Sequence, residues 1–286
     1  MQRFILTIKI LGGLLLIWYG LTGWALEGSV FFVALVLLGL FEFLGAITQR
    51  LTGKMTFGTY RKIFFVLLLG AVTGALLFDL PAIYLFKVWT YHGGIPNPLA
   101  NIPLYGIEAL GWGAFLIIFY DAYTLVHLAF DFKFHSIGFS SRNRSVIDHL
   151  FSFLGVVGIC LFFVSVGLAL AGQTASAWPP TIGGFGVWFM LEDIEYKRSH
   201  RTLLLSTARG HLAPIVSIVL VSVTLGFIFE YFNIIAPVQL WTYASFPFSN
   251  LTIAGVPIFL LVSWSWMLII FLSIYSIFYK KEPLWK

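Results

Sequence analysis

Long apolar segments alternate with short polar ones along almost the whole chain. Most of the apolar segments reach the roughly 20 residues that an α-helix needs to cross about 30 Å of hydrocarbon. They do not alternate between polar and apolar side chains, as the strands of a membrane barrel would. We therefore predict eight membrane-spanning helices, at about 4–26, 29–49, 63–88, 103–130, 150–172, 180–195, 212–235 and 252–279. The sixth is short and rich in glycine, a pattern that also suits a re-entrant segment.

The composition also indicates a membrane protein. Hydrophobic residues make up 59% of the chain, charged residues 10%, and the mean hydropathy is +0.94. A soluble domain of this length cannot bury so much apolar surface, whereas a lipid bilayer covers it. The sequence thus predicts an all-α fold, a polytopic membrane helix bundle that forms one integral-membrane domain over residues 1–286. Cys160 is the only cysteine, which excludes a disulfide within the chain and a thiolate metal cluster.

Basic residues between the predicted spans indicate the orientation of the chain. In an eight-span arrangement nearly all of them fall on one side, and Lys87 falls on the other. Cytoplasmic loops are enriched in lysine and arginine, so we predict a multi-pass protein of the cell membrane with both termini in the cytoplasm. The basic residues of these loops account for the net charge of +5. Nucleic acid is therefore not a predicted partner.

A pattern of acidic and aromatic residues occurs twice. The first copy consists of Phe78-Asp79, Trp89-Thr90-Tyr91, Ile102-Pro103, Glu108 and Trp112, and the second of Phe229-Glu230, Trp241-Thr242-Tyr243, Val256-Pro257, Trp264 and Trp266. In both copies an acid near the end of an apolar segment precedes Trp-Thr-Tyr by ten or eleven residues. A shared spacing with a shift of one residue is typical of an old duplication. We therefore predict a weak internal repeat of spans 3–4 and 7–8.

The acids of the two copies are the main candidates for chemistry. Asp79 and Glu230 lie near the same ends of spans three and seven, and Glu108 lies about one turn into span four. A carboxylate in hydrocarbon costs several kcal/mol unless it is paired, hydrated or protonated, so an intramembrane acid is a functional-site candidate. We predict that these three are catalytic. The structural alternative is that they only bond to Lys87, to tyrosine and threonine hydroxyls, or to the backbone.

Six aromatic residues of the repeat are the predicted substrate-binding residues. They are Trp89, Tyr91, Trp112, Trp241, Tyr243 and Trp264. Aromatic faces stabilise a nearby cation, so an acid beside them suits protonation of an alkene to a carbocation. Packing and membrane-interface positions are the alternative explanation for any single one of them.

The second copy resembles a pattern of the integral-membrane carotenoid hydratases. The resemblance rests on Glu230, Trp241-Thr242-Tyr243, Gly255-Val256-Pro257 and Trp264. These hydratases are similar in turn to the small lycopene cyclases. The first copy is similar to the Pro-x-Glu element of those cyclases, but its Pro103 and Glu108 are five residues apart rather than two. The resemblance implies a polyisoprenoid substrate taken from the membrane, acid catalysis and no redox cofactor.

A second group of polar residues lies on the predicted cytoplasmic side. His127, Asp131 and His135 are spaced four apart and fall within one stripe of span four, and Glu192 lies near the end of span six. Imidazoles and carboxylates in such an arrangement can hold zinc or iron. The sequence contains neither HxxHH nor HExxH. The alternative is a set of interfacial residues that pair with arginine and lysine side chains.

Three functional hypotheses follow from these patterns. The first is a membrane enzyme of isoprenoid or carotenoid lipid metabolism, a lyase or isomerase without a cofactor, that hydrates or cyclises a polyene by acid catalysis. The second is a metal-dependent lipid-modifying enzyme that uses zinc or iron at the cytoplasmic face. The third is a non-enzymatic carrier or accessory membrane subunit that binds lipid. Glu42 and Asp121 would line a proton path in a carrier, or form a buried hydrogen-bonded pair.

Overall fold

A computed structural model describes residues 2–91, 102–129, 144–172, 178–244, 248–278 and 284–285. The helices are α1 (Gln2–Glu27), α2 (Val30–Thr52), α3 (Tyr60–Thr73), α4 (Ile102–Ala129), α5 (Arg144–Leu170), α6 (Trp178–Ser199), α7 (Leu203–Ala208), α8 (Ala213–Ile235) and α9 (Ile258–Phe278). Four very short strands are β1 (Trp89–Tyr91), β2 (Trp241–Tyr243), β3 (Thr252–Ile253) and β4 (Val256–Pro257).

Seven of the described helical segments are long and apolar enough to cross a membrane, as judged by length and composition. They are Arg3–Glu27, Val30–Thr52, Arg61–Leu85, Gly106–Ala129, Arg144–Leu170, Ala213–Ile235 and Ile258–Phe278. The sixth predicted span lies within α6, which is 22 residues long but carries five charged residues in its C-terminal half. The predicted all-α polytopic bundle is therefore confirmed, with seven apolar helices and the more polar α6 in place of eight equivalent spans.

Neighbouring helices approach one another closely at glycine residues. A Cβ atom on Gly13 of α1 would lie 2.8 Å from the carbonyl oxygen of Gly39 in α2. A Cβ atom on Gly158 of α5 would likewise lie 2.7 Å from the carbonyl oxygen of Gly186 in α6. Small residues bring membrane helices together because close backbone contact increases van der Waals attraction. The pairs α1–α2 and α5–α6 therefore pack as antiparallel hairpins.

After α3 the helix continues in the wider π geometry, as two π-helical turns at Gly74–Asp79 and Pro81–Leu85. Pro81 has no N–H to donate, and π turns commonly accommodate such interruptions, often at functional sites. The span predicted as one regular helix over 63–88 therefore changes its helical type halfway and ends at Leu85. These turns carry the chain into β1 and position the first acid of the repeat.

Aromatic side chains fill the centre of the bundle between α4, α8 and α9. The ring centroids of Phe115 and Phe229 lie 4.7 Å apart, and Trp264 stacks on Phe119 at 5.7 Å. Trp24 of α1 is fully buried against Phe229. Large rings bury much apolar area and pack with specific geometry, so this core holds the helices of both repeat copies in fixed positions.

The last described residues pack onto the opposite end of the bundle from β1 and β2. Trp285 is buried, and its indole N–H donates a hydrogen bond to Glu195 Oε1 at 3.0 Å. The Leu284 carbonyl oxygen accepts one from the Tyr123 hydroxyl at 3.1 Å. These contacts join the C-terminal residues to α4 and α6.

The α1–α2 contact can be tested with two adjacent glycines. We expect Gly13→Ala to destabilise the protein by about 1–3 kcal/mol, because the added methyl group forces two helix backbones apart. Gly12→Ala is the matched control, since a Cβ atom there meets nothing within 4 Å. Unfolding of the two variants in detergent measures the difference. Equal stability of the two would contradict the close contact.

Candidate functional site

The two Trp-Thr-Tyr tripeptides pair with each other as antiparallel strands. Trp89 lies opposite Tyr243, Thr90 opposite Thr242, and Tyr91 opposite Trp241. The hydroxyl oxygens of the central pair, Thr90 and Thr242, are 3.2 Å apart. Two identical strands in this register are related by a local two-fold axis through the central pair. The two copies of the repeat therefore face each other across β1 and β2.

The acid of the first copy is held by two aromatic donors. Asp79 is buried, and its Oδ1 atom accepts a hydrogen bond from the Tyr91 hydroxyl at 2.9 Å. Its Oδ2 atom accepts one from the indole N–H of Trp112 at 2.6 Å. Bonds to a carboxyl group of this kind are among the stronger hydrogen bonds in proteins. They connect the π turns after α3 to β1 and α4.

The acid of the second copy is held by three aromatic donors. Glu230 is fully buried, and its Oε1 atom accepts hydrogen bonds from the Tyr243 hydroxyl at 2.7 Å and from Trp264 Nε1 at 3.0 Å. Its Oε2 atom accepts one from Trp241 Nε1 at 3.2 Å. These three hydrogen bonds connect α8 to β2 and α9, just as the two bonds to Asp79 connect its π turn to β1 and α4.

In each copy of the repeat a glycine precedes the acid and leaves space for the tryptophan that bonds to that acid. A Cβ atom on Gly74 would lie 2.2 Å from Trp112 Cγ, and one on Gly226 would lie 2.7 Å from Trp264 Cγ. The acid follows its glycine by five residues in the first copy and by four in the second. The hydrogen bonds of a π-helix join residues five apart, and those of an α-helix join residues four apart. Each acid therefore lies one hydrogen-bonded turn beyond its glycine. The π turn therefore accounts for the one-residue shift between the copies.

A cavity of about 830 Å³ lies beside β1 and β2. Its wall includes Glu108, Glu230 and the six predicted substrate-binding residues Trp89, Tyr91, Trp112, Trp241, Tyr243 and Trp264. The rest of the wall is mostly apolar, and the volume is near the upper end of the roughly 300–1,000 Å³ of typical ligand pockets. Leu38, Leu76 and Ile107 line it and are also exposed on the outside of the bundle, so the cavity extends to that surface.

Glu108 differs from the other two acids in its hydrogen bonding. It lies on α4 one turn before Trp112 and lines the cavity. Its Oε2 atom is buried and has no hydrogen-bond partner among the residues that the structure describes. Asp79 lies behind Tyr91 and Trp112 and does not itself line the cavity. Of the three predicted acids, Glu108 is thus the one with an unbonded oxygen in the described part of the chain.

The two tyrosines of the repeat remain protonated donors over a wide pH range. Burial raises the pKa of the Tyr91 phenol well above its ordinary value, and the charges of Asp79, Glu108 and Glu230 raise it further. Burial and then the charge of Glu230 raise the pKa of the Tyr243 phenol in the same direction.

Comparisons with protein-family models, curated proteins and solved structures found no match to this chain. The resemblance to the carotenoid hydratases stays a prediction, and the geometry of the site carries the functional argument.

The structure brings the three predicted acids and the six predicted aromatic residues together beside β1 and β2. Sequence reasoning missed that the Trp-Thr-Tyr tripeptides form a strand pair, although β-branched and aromatic residues are typical of strands. It also missed that Gly226 and Gly74 make room for tryptophans. The hydroxyl-bearing residues Ser165, Thr181 and Ser263 of α5, α6 and α9 line the cavity as well, and no sequence pattern marked them.

Glu192, a predicted metal ligand, makes structural contacts. It is fully buried and accepts hydrogen bonds from Trp188 Nε1 at 2.9 Å and from the Leu204 N–H at 3.2 Å. The second bond joins α6 to the start of α7. The neighbouring Asp193 forms an ion pair with Lys197 at 2.7 Å, as expected for interfacial residues.

The other predicted ligands are described only in part. The His127 ring stacks on Tyr123, with centroids 5.5 Å apart, while Asp131 and His135 lie outside the described residues. Within the described ranges, no group of three or more histidine, cysteine, aspartate or glutamate side chains is placed to hold a metal ion. A zinc or iron site that uses the undescribed residues stays a prediction.

Of the two alternatives for Glu42 and Asp121, the hydrogen-bonded pair is wrong, because each acid has another partner. Glu42 forms an ion pair with Lys9 of α1, with 3.0 Å between Nζ and Oε2. Asp121 is buried and accepts a hydrogen bond from the Thr56 hydroxyl, which lies between α2 and α3. Each acid has a nearer partner on a different element, and sequence spacing does not reveal such partners.

The hydrogen bonds to the second acid can be tested by removing one hydroxyl. We expect Tyr243→Phe to destabilise the protein by about 1–3 kcal/mol, because it removes a donor from the buried Glu230 carboxyl. Tyr231→Phe on α8, the helix of Glu230, is the control. The Tyr231 ring packs on Phe227 and Phe232, and its hydroxyl donates no hydrogen bond to Glu230. Thermal unfolding in detergent compares them, and equal midpoints would show that the Tyr243 bond adds no stability.

Proposed function

We propose that the protein is a membrane enzyme that protonates a double bond of a long isoprenoid lipid, of the carotenoid type, and completes a hydration or a cyclisation. The supporting observation is that Glu108, with its unbonded buried oxygen, shares an apolar cavity with the aromatic residues of both repeat copies. The substrate would enter from the surrounding lipid, because Leu76 and Ile107 belong both to the cavity wall and to the outer surface.

Glu108 is the proton donor in this proposal. Asp79 and Glu230 each have both carboxyl oxygens bonded to indole or phenol donors, so they act as acceptors that position those rings. Glu108 Oε2 meets no such donor within the described residues. An acid must lie within hydrogen-bond reach of the atom that it protonates, and Glu108 is the cavity-lining acid whose Oε2 atom is not already bonded within the described residues.

The reaction begins with transfer of the Glu108 carboxyl proton to one carbon of the double bond. The π electrons form the new C–H bond, and the neighbouring carbon becomes a carbocation. In hydration, a lone pair of water forms the C–O bond, and the extra proton passes to the Glu108 carboxylate. In cyclisation, a second double bond supplies the electron pair, and the resulting cation loses a proton to the same carboxylate. Either route restores the acid and needs no redox cofactor.

The aromatic cavity wall stabilises the cation in this scheme. The Trp112 and Trp264 rings lie 6.5 Å apart between centroids, one from each repeat copy. The faces of indole rings attract a cation, and the effect is larger where water is excluded. The hydrogen bonds to Asp79 and Glu230 fix the orientation of these two rings, so the buried acids contribute to the chemistry through the tryptophans.

The proposal predicts that Glu108→Gln lowers product formation by about 100-fold or more, because the amide has no acidic proton to transfer. The measurement is mass spectrometry of lipid extracts after membranes that contain the protein are incubated with unlabelled isoprenoids in deuterated buffer. Wild type should place one deuterium on carbon in each product molecule. Glu27→Gln is the matched control, because Glu27 is an exposed carboxyl group at the end of α1, and it should retain wild-type product levels.

Three results would count against this function. Full product formation by Glu108→Gln would remove Glu108 from the proton transfer. A product without deuterium on carbon would exclude protonation of a double bond. Retention of an isoprenoid by the purified protein, with no product in any host, would favour the carrier hypothesis instead.

We also propose that both termini lie on the cytoplasmic side of the cell membrane. Basic residues stand at the ends of the helices that point away from β1 and β2, as Arg3, Arg50, Arg61, Arg144 and Lys197 do. The positive-inside rule assigns that end of the bundle to the cytoplasm.

Cysteine labelling tests this orientation. In a Cys160→Ser background, a cysteine at Glu27 should react with a membrane-impermeant maleimide on intact cells, and one at Lys54 should react only after the cells are opened. Both positions are exposed, and they lie at opposite ends of α2. The reverse pattern would invert the proposed topology.

A further inference from the structure

The two copies of the repeat differ in how many donors their acids accept. Glu230 accepts three hydrogen bonds, including one from Trp241 at 3.2 Å. Asp79, which is shorter by one methylene group, accepts two. Trp89 is the counterpart of Trp241 in β1, and its Nε1 atom is buried with no hydrogen-bond partner among the described residues. The first copy therefore has an unbonded indole donor in a residue that lines the cavity.

The first copy also has a spare acceptor that the second copy lacks. Glu108 precedes Trp112 by four residues, and the residue that precedes Trp264 by four is Leu260. Glu108 Oε2 is buried without a partner in the described part of the chain, and Glu108 and Trp89 line the same cavity. One donor and one acceptor of cavity-lining residues thus remain unbonded within the described part of the chain, and both belong to the first copy.

A buried donor or acceptor without a partner is destabilising, so a ligand that completes its hydrogen bond is favoured. A ligand that fits both must offer an acceptor to the Trp89 N–H and a donor to the Glu108 oxygen. A carboxylate or phosphate would bring a further negative charge to a site beside Asp79 and Glu230, and an ammonium group has no lone pair for the indole. A hydroxyl group has both functions and no charge.

We propose that the first copy contains a hydroxyl-binding subsite, and that the cavity takes an isoprenoid alcohol. The alcohol O–H donates to Glu108 Oε2, its oxygen accepts from Trp89 Nε1, and the isoprenoid chain occupies the apolar remainder of the cavity. This deepens the proposed function and rests on it for the reaction. The alcohol is the product of hydration, which adds H and OH of water across the double bond, whereas a cyclised hydrocarbon has no group for this subsite.

Binding of a saturated ligand separates the subsite from the reaction. The full-length protein is placed in lipid nanodiscs with radiolabelled phytanol, a saturated isoprenoid alcohol that has no double bond to protonate. Phytanyl methyl ether, which lacks the O–H donor, and phytane, which lacks the oxygen, serve as competitors. Since a neutral hydrogen bond adds about 1 kcal/mol, we expect phytanol to bind about fivefold more tightly than the ether and more tightly still than phytane.

Four variants locate the subsite. Trp89→Phe and Glu108→Leu should each lower the preference for phytanol over phytane by about fivefold, because each removes one bond. Glu108→Gln should keep the preference, because its amide oxygen still accepts a hydrogen bond. Trp241→Phe should also keep it, because that indole already donates to Glu230.

Equal affinity of the wild type for all three ligands would overturn the subsite. So would an unchanged preference in Trp89→Phe, which decides the matter alone if Glu108→Leu does not fold. A phytanol preference without any enzymatic product would leave the subsite standing and remove the proposed reaction. Product formation without a phytanol preference would support the proposed reaction and overturn the subsite.

Discussion

A carboxyl group in an apolar interior needs hydrogen-bond donors, and this requirement organises the centre of the protein. The burial of such a group without donors costs several kcal/mol. Asp79 and Glu230 obtain their donors from tryptophan and tyrosine side chains of the strand and the helix that follow each of them. Each acid therefore fixes the positions of three consecutive elements, which local helix propensity alone cannot do.

The pairing of β1 with β2 joins these two networks into one site. A strand pair of three residues is too short to be stable by itself in water, but here each strand is anchored by a tyrosine bonded to a buried acid. The symmetry of the backbone does not extend to the chemistry, because Glu108 of the first copy corresponds to Leu260 of the second. The second network is complete and contributes rigidity. The first is incomplete on its cavity side, which suits ligand binding.

The membrane fold could be predicted from the sequence because long apolar segments, and the basic residues at their ends, are local features. The repeat could be found because Trp-Thr-Tyr occurs twice at similar distances from an acid. The π turns on either side of Leu80, the strand pairing and the division of roles among the acids depend on distances between remote residues, which no local pattern contains. Glu192 shows the same limit, since its partners include a backbone N–H on another helix, that of Leu204.

Natural sequences satisfy nearly all buried polar groups, and departures from this rule concentrate at functional sites. This makes the contrast between Trp89 and Trp241 informative. Both indoles occupy the first position of the same tripeptide, and both line the same cavity. In the second copy Glu230 reaches the Trp241 indole, whereas in the first copy the shorter Asp79 leaves the equivalent Trp89 indole unbonded within the described residues. Under the proposed subsite, a hydroxyl group would supply the missing bonds of both Trp89 Nε1 and Glu108 Oε2.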